Sequence, residues 1–189
     1  MKTRAEALQL LKHYTKSESL LRHAYAVEAA CRAYAKKFGE DAEKWGITGL
    51  LHDFDYEMYP SKEEHTIVGA RILAEQGYPE DVIYAIRAHA SYNHLQRDTQ
   101  LSKVVFACDE ICGFVMAVAM VRPTKNLAEV EVRSVKKKLK DKAFARGVNR
   151  DDVYLGVEEL GVSLDEHIAT VIGALAAIAP ELGLDGVSA

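Results

Sequence analysis

The sequence is poor in residues that interrupt helices or cross-link a chain. Its 189 residues include only four prolines and three cysteines. An odd number of cysteines without a CxxC pair argues against a disulfide framework and against a thiolate metal site. Cys108 and Cys112 lie four residues apart in an apolar stretch. We therefore expect both to be reduced packing residues on one buried helix of a cytoplasmic protein.

The chain also lacks a long apolar run and an excess of basic charge. No segment reaches the roughly 18 consecutive apolar residues that a membrane span needs, and the opening MKTRAEALQLLKHY reads as an amphipathic helix, not a signal peptide. Lys and Arg total 24 against 28 Asp and Glu, a formal net charge of -4. Non-specific nucleic-acid binding needs a basic surface. We therefore expect neither a membrane nor a nucleic acid as partner.

What the sequence has instead is helical periodicity. Apolar residues recur at spacings of three and four, and alternating strand patterns are absent, so we predict an all-α fold. Ser17 and Ser163 are predicted N-caps. Histidines become sparse after about residue 122, which suggests a helical domain over 1–122 and a C-terminal helical extension over 123–189 packed on it. The predicted helices lie at about 3–14, 18–38, 41–52, 64–76, 79–91, 99–119, 126–140, 150–160 and 163–179.

A set of ionisable side chains stands in apolar surroundings. Its members are His23, His52, Asp53, His65, His89 and Asp109. A lone histidine on an apolar face is more often a hydrogen-bonded core residue, but burying a charge costs several kcal/mol unless it is paired or metal-bound. Asp109 is the clearest case, because it interrupts an apolar run on a helix that continues into Ile111 and Phe114. A divalent cation would supply the counter-charge, and imidazole with carboxylate donors suits Mn, Fe, Co, Ni or Zn better than Ca.

The adjacent pair His52-Asp53 falls where a predicted helix ends. Within a helix, neighbouring side chains diverge by about 100°, whereas at a fraying end they can converge on one centre. The two oxygens of Asp53 also allow it to bridge two metal ions.

The order His23, His52-Asp53, Asp109 resembles the HD-domain superfamily of metal-dependent phosphohydrolases over about residues 18–120. The resemblance implies an HD-domain helical bundle in which these four residues hold one metal. His65 and His89, within HTIVGA and AIRAHAS, resemble the subset that holds a second metal, with Asp53 shared. The stretch QLSKVVFACDEI is similar to the bacterial HD-type hydrolases that cleave diadenosine tetraphosphate symmetrically. For such an enzyme, a hydroxide held by the metals would attack phosphorus.

Other residues near the motif are candidates for catalysis or substrate binding. Asp53 is the predicted catalytic centre, and Asp55 is a candidate general acid or base, with a solvated acidic turn as the alternative. Many HD relatives carry lysine where this chain has Tyr56, so other cations would have to contact phosphate. We predict Arg22 as a catalytic cation. The predicted substrate-binding residues are Arg87, Lys103, His94 and Tyr56.

Three functions remain open at this point. The first is hydrolysis of a small phosphoester or nucleotide-like substrate. The second is an HD-type di-iron oxygenase, because iron and manganese take the same ligands. The third is a metal-stabilised, non-catalytic sensor or scaffold. We favour hydrolysis because Arg22, Arg87 and Lys103 flank the ligands in sequence. The sequence leaves the oligomeric state open, a homodimer included.

Overall fold

The computed structural model describes residues 1–186, and helices joined by short connections make up this part of the chain. No strand forms among these residues, where a single isolated bridge pairs Asn126 with Asp185. The all-α prediction is confirmed. The α-helices are α1 (Arg4–Tyr14), α2 (Glu18–Phe38), α3 (Ala42–Leu51), α4 (Ile67–Glu75), α5 (Glu80–His89), α6 (Gln100–Met120), α7 (Val132–Leu139), α8 (Arg150–Leu160), α9 (Leu164–Ala176) and α10 (Ala179–Leu182). Two short 3-10 helices span Ser91–Asn93 and Leu127–Glu129.

Three predicted helices differ from the observed ones at their ends. The helix predicted at 64–76 begins only at Ile67, because Thr66 has a left-handed backbone with φ 64°. The helix predicted at 126–140 is divided, since Asn126 caps the 3-10 turn through Ala128 N and the chain is extended again before α7. The helix predicted at 163–179 ends at Ala176, and a separate short helix follows with Pro180 in its first turn.

The predicted N-caps behave differently from each other. The side chain of Ser163 accepts a hydrogen bond from Glu166 N, as expected for a cap. Ser17 occupies the N-cap position of α2, but its side chain makes no capping bond. Glu57 instead binds the two residues just before the helix, because its carboxylate accepts from the backbone N–H groups of Lys16 (2.7 Å) and Ser17 (3.0 Å). This contact ties the loop after the His52-Asp53 pair to the start of α2.

The apolar side chains form two cores that meet at α2. The smaller core contains residues of α1, α3, α4 and α5, such as Leu11, Leu50 and Ile86. The larger core lies around α2 and α6 and includes buried residues from beyond position 122, such as Leu127 and Ile168. The C-terminal helices therefore pack directly on α2 and α6. We keep the division at residue 122 as a proposal.

The cysteines lie in the buried positions that their apolar surroundings predict. All three cysteines, at 31, 108 and 112, are free and buried. Within residues 1–186, no helix is both long and apolar enough to cross a membrane.

Candidate metal centre

The six predicted ligands come from separate parts of the fold and meet where α2, α3, α5 and α6 approach one another. His23 lies in α2, His52 follows the last residue of α3, Asp53 comes next, His65 precedes α4, His89 ends α5 and Asp109 lies in α6. The helix end at His52 is what lets it and Asp53 face the same centre. Their ligand atoms fall into two groups that could each hold a metal ion.

The first group joins α2, α3 and α6. His23 Nε2 lies 2.9 Å from Asp109 Oδ1 and 3.2 Å from His52 Nε2. His52 Nε2 is in turn 3.4 Å from Asp109 Oδ1 and 3.4 Å from Asp53 Oδ2. His52 is fully buried, while the side chains of Asp53 and Asp109 keep about a fifth of their surface exposed. The group is therefore open on its carboxylate side.

The second group uses the other oxygen of Asp53. Asp53 Oδ1 lies 3.1 Å from His65 Nε2 and 3.1 Å from His89 Nε2. The two oxygens of Asp53 thus point into different groups, which is the arrangement a carboxylate bridging two metal ions requires.

In each buried histidine of the cluster, the ring nitrogen that faces away from the centre already has a hydrogen-bond partner. Nδ1 of His52 is 2.8 Å from Gly49 O, Nδ1 of His89 is 2.6 Å from Ile86 O, and Nδ1 of His65 is 2.9 Å from Asp55 Oδ1. Since each of these partners can only accept, each Nδ1 donates, and the neutral ring then has a lone pair on Nε2. Outer hydrogen bonds of this kind orient histidine ligands in metal sites.

This pattern is the structural argument for a metal. The Nε2 lone pairs of His52, His65 and His89 face carboxylate oxygens of Asp53 or Asp109 at 3.1–3.4 Å. Two lone pairs at that distance repel unless a cation lies between them. The nitrogen and oxygen donors therefore fit divalent transition metals, although they do not distinguish Mn, Fe, Co, Ni and Zn.

The ionisation of the site in the absence of metal points the same way. Burial by itself lowers the pKa of His65, but Asp53 and Asp55 outweigh it and raise the pKa to about 9. Burial likewise opposes ionisation of Asp53, yet His52 beside it holds the pKa of Asp53 well below its usual value. For Asp109, burial is outweighed by hydrogen bonds from His23 and His52, and its pKa is also lowered. The cluster therefore favours a bound cation, either protons on the imidazoles or a metal.

The two groups open into a cavity of about 240 Å³. Its lining residues are Asp53, Tyr56, His65, His89, Ala90, Ser91, Tyr92, Asp109, Glu110 and Asp152. Sequence reasoning missed Tyr92, Glu110 and Asp152. The sequence signal for Glu110 is its position next to Asp109 in the same apolar stretch. Burial raises the pKa of Glu110 to about 7. Asp152 lies in the first turn of α8, and only the packing of α8 brings it to the cavity.

Three predicted cations do not line this cavity. Arg22 directs its guanidinium toward Gly183, because neighbours on α2 diverge by about 100° and His23 takes the inward direction. Arg87 lies two residues before His89, a rotation of about 200° around α5, and Lys103 lies six before Asp109, about 240° around α6. Both residues therefore lie on other faces of their helices, and neither lines the cavity.

The remaining candidates are divided between the cavity and its surroundings. Tyr56 is at the cavity mouth, with its ring edge-on to His65 at a centroid distance of 5.1 Å. His94 is exposed and does not line the cavity. Asp55 is neither a solvated residue nor a cavity residue, because it is 1% exposed and lies behind His65. That position does not fit a general acid or base.

A protein-family model for the HD domain matches residues 20–112. The match contains all six ligands. Residues 20–112 are an HD domain. The superfamily resemblance drawn from the residue order is thus confirmed, and the chain carries a histidine and aspartate cluster that could hold metal.

The chain is similar to part of several ribonucleases. It is 35% identical over 101 residues to Ribonuclease Y of Nitratidesulfovibrio vulgaris, which is 51% of this chain and 18% of that protein. Ribonuclease Y of Lawsonia intracellularis is 32% identical over 101 residues, 51% of this chain and 19% of the relative. The match thus spans about a fifth of these relatives. They give no support to the expected likeness to diadenosine tetraphosphate hydrolases.

A solved structure with the same fold is the HD domain of the phosphodiesterase PgpH from L. monocytogenes. It superposes with a TM-score of 0.52 at 16% identity, and the alignment covers 92% of this chain and 98% of that one. The likeness includes the C-terminal helices, because the residues up to 122 could not supply that coverage.

Proposed function

We propose that this chain is a metal-dependent phosphohydrolase that acts on a small phosphoester or nucleotide-like substrate in the cytoplasm. The observation that carries the proposal is the division of Asp53, with Oδ2 directed to the group of His23, His52 and Asp109, and Oδ1 to His65 and His89. A non-catalytic scaffold has no need of a second donor group. The HD domain and the ribonuclease relatives support hydrolysis at phosphorus.

The protein's own residues have separate tasks in this proposal. His23, His52, Asp53 and Asp109 would hold one divalent ion, while His65, His89 and the second oxygen of Asp53 would hold another. Bound divalent ions would activate a water molecule as nucleophile and stabilise the charge that develops on phosphate. The buried Nδ1 bonds of the histidines keep their Nε2 atoms aimed at the centre, so the ligands need no rearrangement when substrate binds.

The cavity lining indicates which substrates the site accepts. None of its lining residues, all within residues 1–186, is a lysine or an arginine. The phosphate would therefore be bound through the metals alone, and a chain of further phosphates would meet Glu110 and Asp152. A phosphoester with a single phosphate fits better than a dinucleoside polyphosphate. The rings of Tyr56 and Tyr92 can pack against its organic part, and the two acids can accept its hydroxyl or amino hydrogens.

A phosphodiester in RNA is the second candidate substrate. The favouring observation is the 35% identity to Ribonuclease Y over 101 residues, 51% of this chain. An internal RNA phosphate also carries a single charge, as the acidic lining favours. The formal net charge of -4 argues against strong binding of a long strand by this chain by itself.

The test is a substrate panel with purified protein and Mn²⁺, Co²⁺ or Fe²⁺, assayed under nitrogen and in air. The panel contains phosphomonoesters, dinucleotide phosphodiesters, a short single-stranded RNA and diadenosine tetraphosphate. We expect metal-dependent hydrolysis of mono- or diesters that is the same with and without oxygen and is abolished in Asp53→Asn. His13→Ala, which changes an exposed histidine on α1, is the matched control and should retain activity.

Two outcomes would overturn the proposal. Turnover that stops under nitrogen and resumes in air would favour the di-iron oxygenase, which uses the same ligands. Full metal binding without turnover on any member of the panel would favour the non-catalytic sensor.

A further inference from the structure

Asp55 is a buried carboxylate directly behind the second ligand group. Its Oδ1 accepts from His65 Nδ1 at 2.9 Å, and its Oδ2 accepts from the backbone N–H groups of Thr66 at 2.9 Å and Gly69 at 2.8 Å. We propose that Asp55 is a positioning residue that holds His65 in the tautomer able to bind the second metal. The inference rests on the two-metal function proposed above and assigns Asp55 a role outside the reacting centre.

The hydrogen bonds around Asp55 fix its orientation. Backbone N–H groups can only donate, so Oδ2 must remain an acceptor toward Thr66 and Gly69. With Oδ2 fixed, Oδ1 faces His65 and can also only accept. Nδ1 of His65 therefore carries a hydrogen, and Nε2, 3.1 Å from Asp53 Oδ1, is the nitrogen left to bind a metal ion.

The local backbone is shaped around this carboxylate. Thr66 has φ 64°, a conformation that β-branched residues rarely adopt, and it aims its N–H at Asp55. Asn93 supports the turn by donating to Thr66 Oγ1 at 2.7 Å and to Arg87 O at 2.8 Å, which links it to the helix that ends in His89. A Cβ atom on Gly69 would lie 2.6 Å from Asp55 Oδ2, so only glycine allows the carboxylate this close.

The second metal site should depend on Asp55 more than the first site does. His52 and His89 donate their Nδ1 hydrogens to the backbone carbonyls of Gly49 and Ile86, whereas His65 donates to a carboxylate. An anionic partner makes the imidazole a stronger ligand than a neutral carbonyl does. Asp55 makes no hydrogen bond to His23, His52 or Asp109 in the part of the chain that the structure describes.

The decisive variant is Asp55→Asn, which keeps the size of the side chain. The amide oxygen will take the place of Oδ2, because two backbone donors face that position. The amide NH₂ group will then face His65 Nδ1, which must become an acceptor, and the hydrogen moves to Nε2. We expect the second divalent ion to bind 10- to 100-fold more weakly while the first binds as before. Asp98→Asn, at an exposed position, is the matched control.

The measurement is a Zn²⁺ titration of the full chain by calorimetry, with ions per chain counted by native mass spectrometry. Gly69→Ala is a second variant, which displaces the carboxylate while keeping its charge, and it should also weaken the second ion selectively. Nitrogen-15 NMR of the zinc-loaded wild-type protein should show His65 with its hydrogen on Nδ1, so the inference remains testable if a variant does not fold.

The outcomes separate this inference from the proposed function. Two zinc ions bound with wild-type affinity in both variants would overturn the role of Asp55 and leave the two-metal function standing. His65 protonated on Nε2 would overturn the role of Asp55 and also remove His65 from the ligand set. A wild-type chain that binds one zinc ion would overturn both.

Discussion

The contact between α6 and α8 gives a prediction that links packing to the candidate site. Gly156 on α8 lies against α6 so closely that an added Cβ would be 2.8 Å from Ala107 Cα and 3.1 Å from Ala107 Cβ. Both atoms belong to a buried helix that cannot yield locally. Overpacking of this kind costs about 3 kcal/mol, and the better helix propensity of alanine offsets about 1 kcal/mol. Gly156→Ala should therefore destabilise the fold by about 2 kcal/mol.

The control is a second helical glycine with open surroundings. Gly173 on α9 is exposed, and a Cβ placed there meets nothing within 4 Å. Gly173→Ala should raise stability by about 1 kcal/mol, because only the propensity term applies. Urea unfolding followed by circular dichroism measures both variants. Equal effects of the two substitutions would refute the reasoning, because they differ only in the neighbouring helix.

The same substitution should alter the site. Asp152 lies one turn before Gly156, and Ala107 lies two residues before Asp109, so displacement of α8 moves Asp152 away from the cavity. We expect Gly156→Ala to change KM for the best substrate while two metals still bind. We assign Asp152 to the cavity wall and not to the metal ligands. Loss of a metal in this variant would contradict that assignment.

Three further predictions concern single residues. Burial lowers the pKa of His167 to about 4, below the roughly 6.5 of an unfolded chain. The contribution of His167 to the free energy of unfolding should therefore be constant above pH 6.5 and fall by about 3 kcal/mol down to pH 4. Denaturation measured against pH should show a shallower loss of stability in acid for His167→Gln, and an unchanged loss would contradict this. The side chain of Arg97 is 8% exposed and donates two hydrogen bonds of 2.6 and 2.8 Å to Glu159. Arg97→Ala should therefore lower the free energy of unfolding by about 3 kcal/mol, measured by thermal unfolding. The side chain of Arg133 is 85% exposed, and Arg133→Ala should change stability by less than about 0.5 kcal/mol. Asp109→Ala should lose the first metal and all turnover, and a variant with full metal content and activity would disprove the site.

The ligand cluster was predictable because it depends on local signals. His23 and Asp109 each interrupt apolar runs, and His52-Asp53 falls at the end of a helical pattern. Such side chains are buried wherever the helices pack, so the sequence already required them to have partners. The structure brings them to within hydrogen-bonding distance.

The lining of the cavity was not predictable in the same way. Asp152 reaches it only because α8 packs closely on α6 at Gly156, and that contact joins residues distant in the sequence. The burial of Asp55 depends on the left-handed backbone of Thr66, where side-chain periodicity carries no signal. The position of Arg22 and Arg87, by contrast, could have been predicted from the sequence. Helix rotation alone directs them away from the neighbouring histidines.

The most direct test of the two-metal centre is a count of metal ions per chain. Native mass spectrometry of the protein loaded with Mn²⁺ should give two ions for the wild-type chain. The double variant His65→Ala/His89→Ala should give one ion, because His23, His52 and Asp109 still hold the first with one oxygen of Asp53. A wild-type chain that binds fewer than two ions, or a double variant that still binds two, would contradict the account.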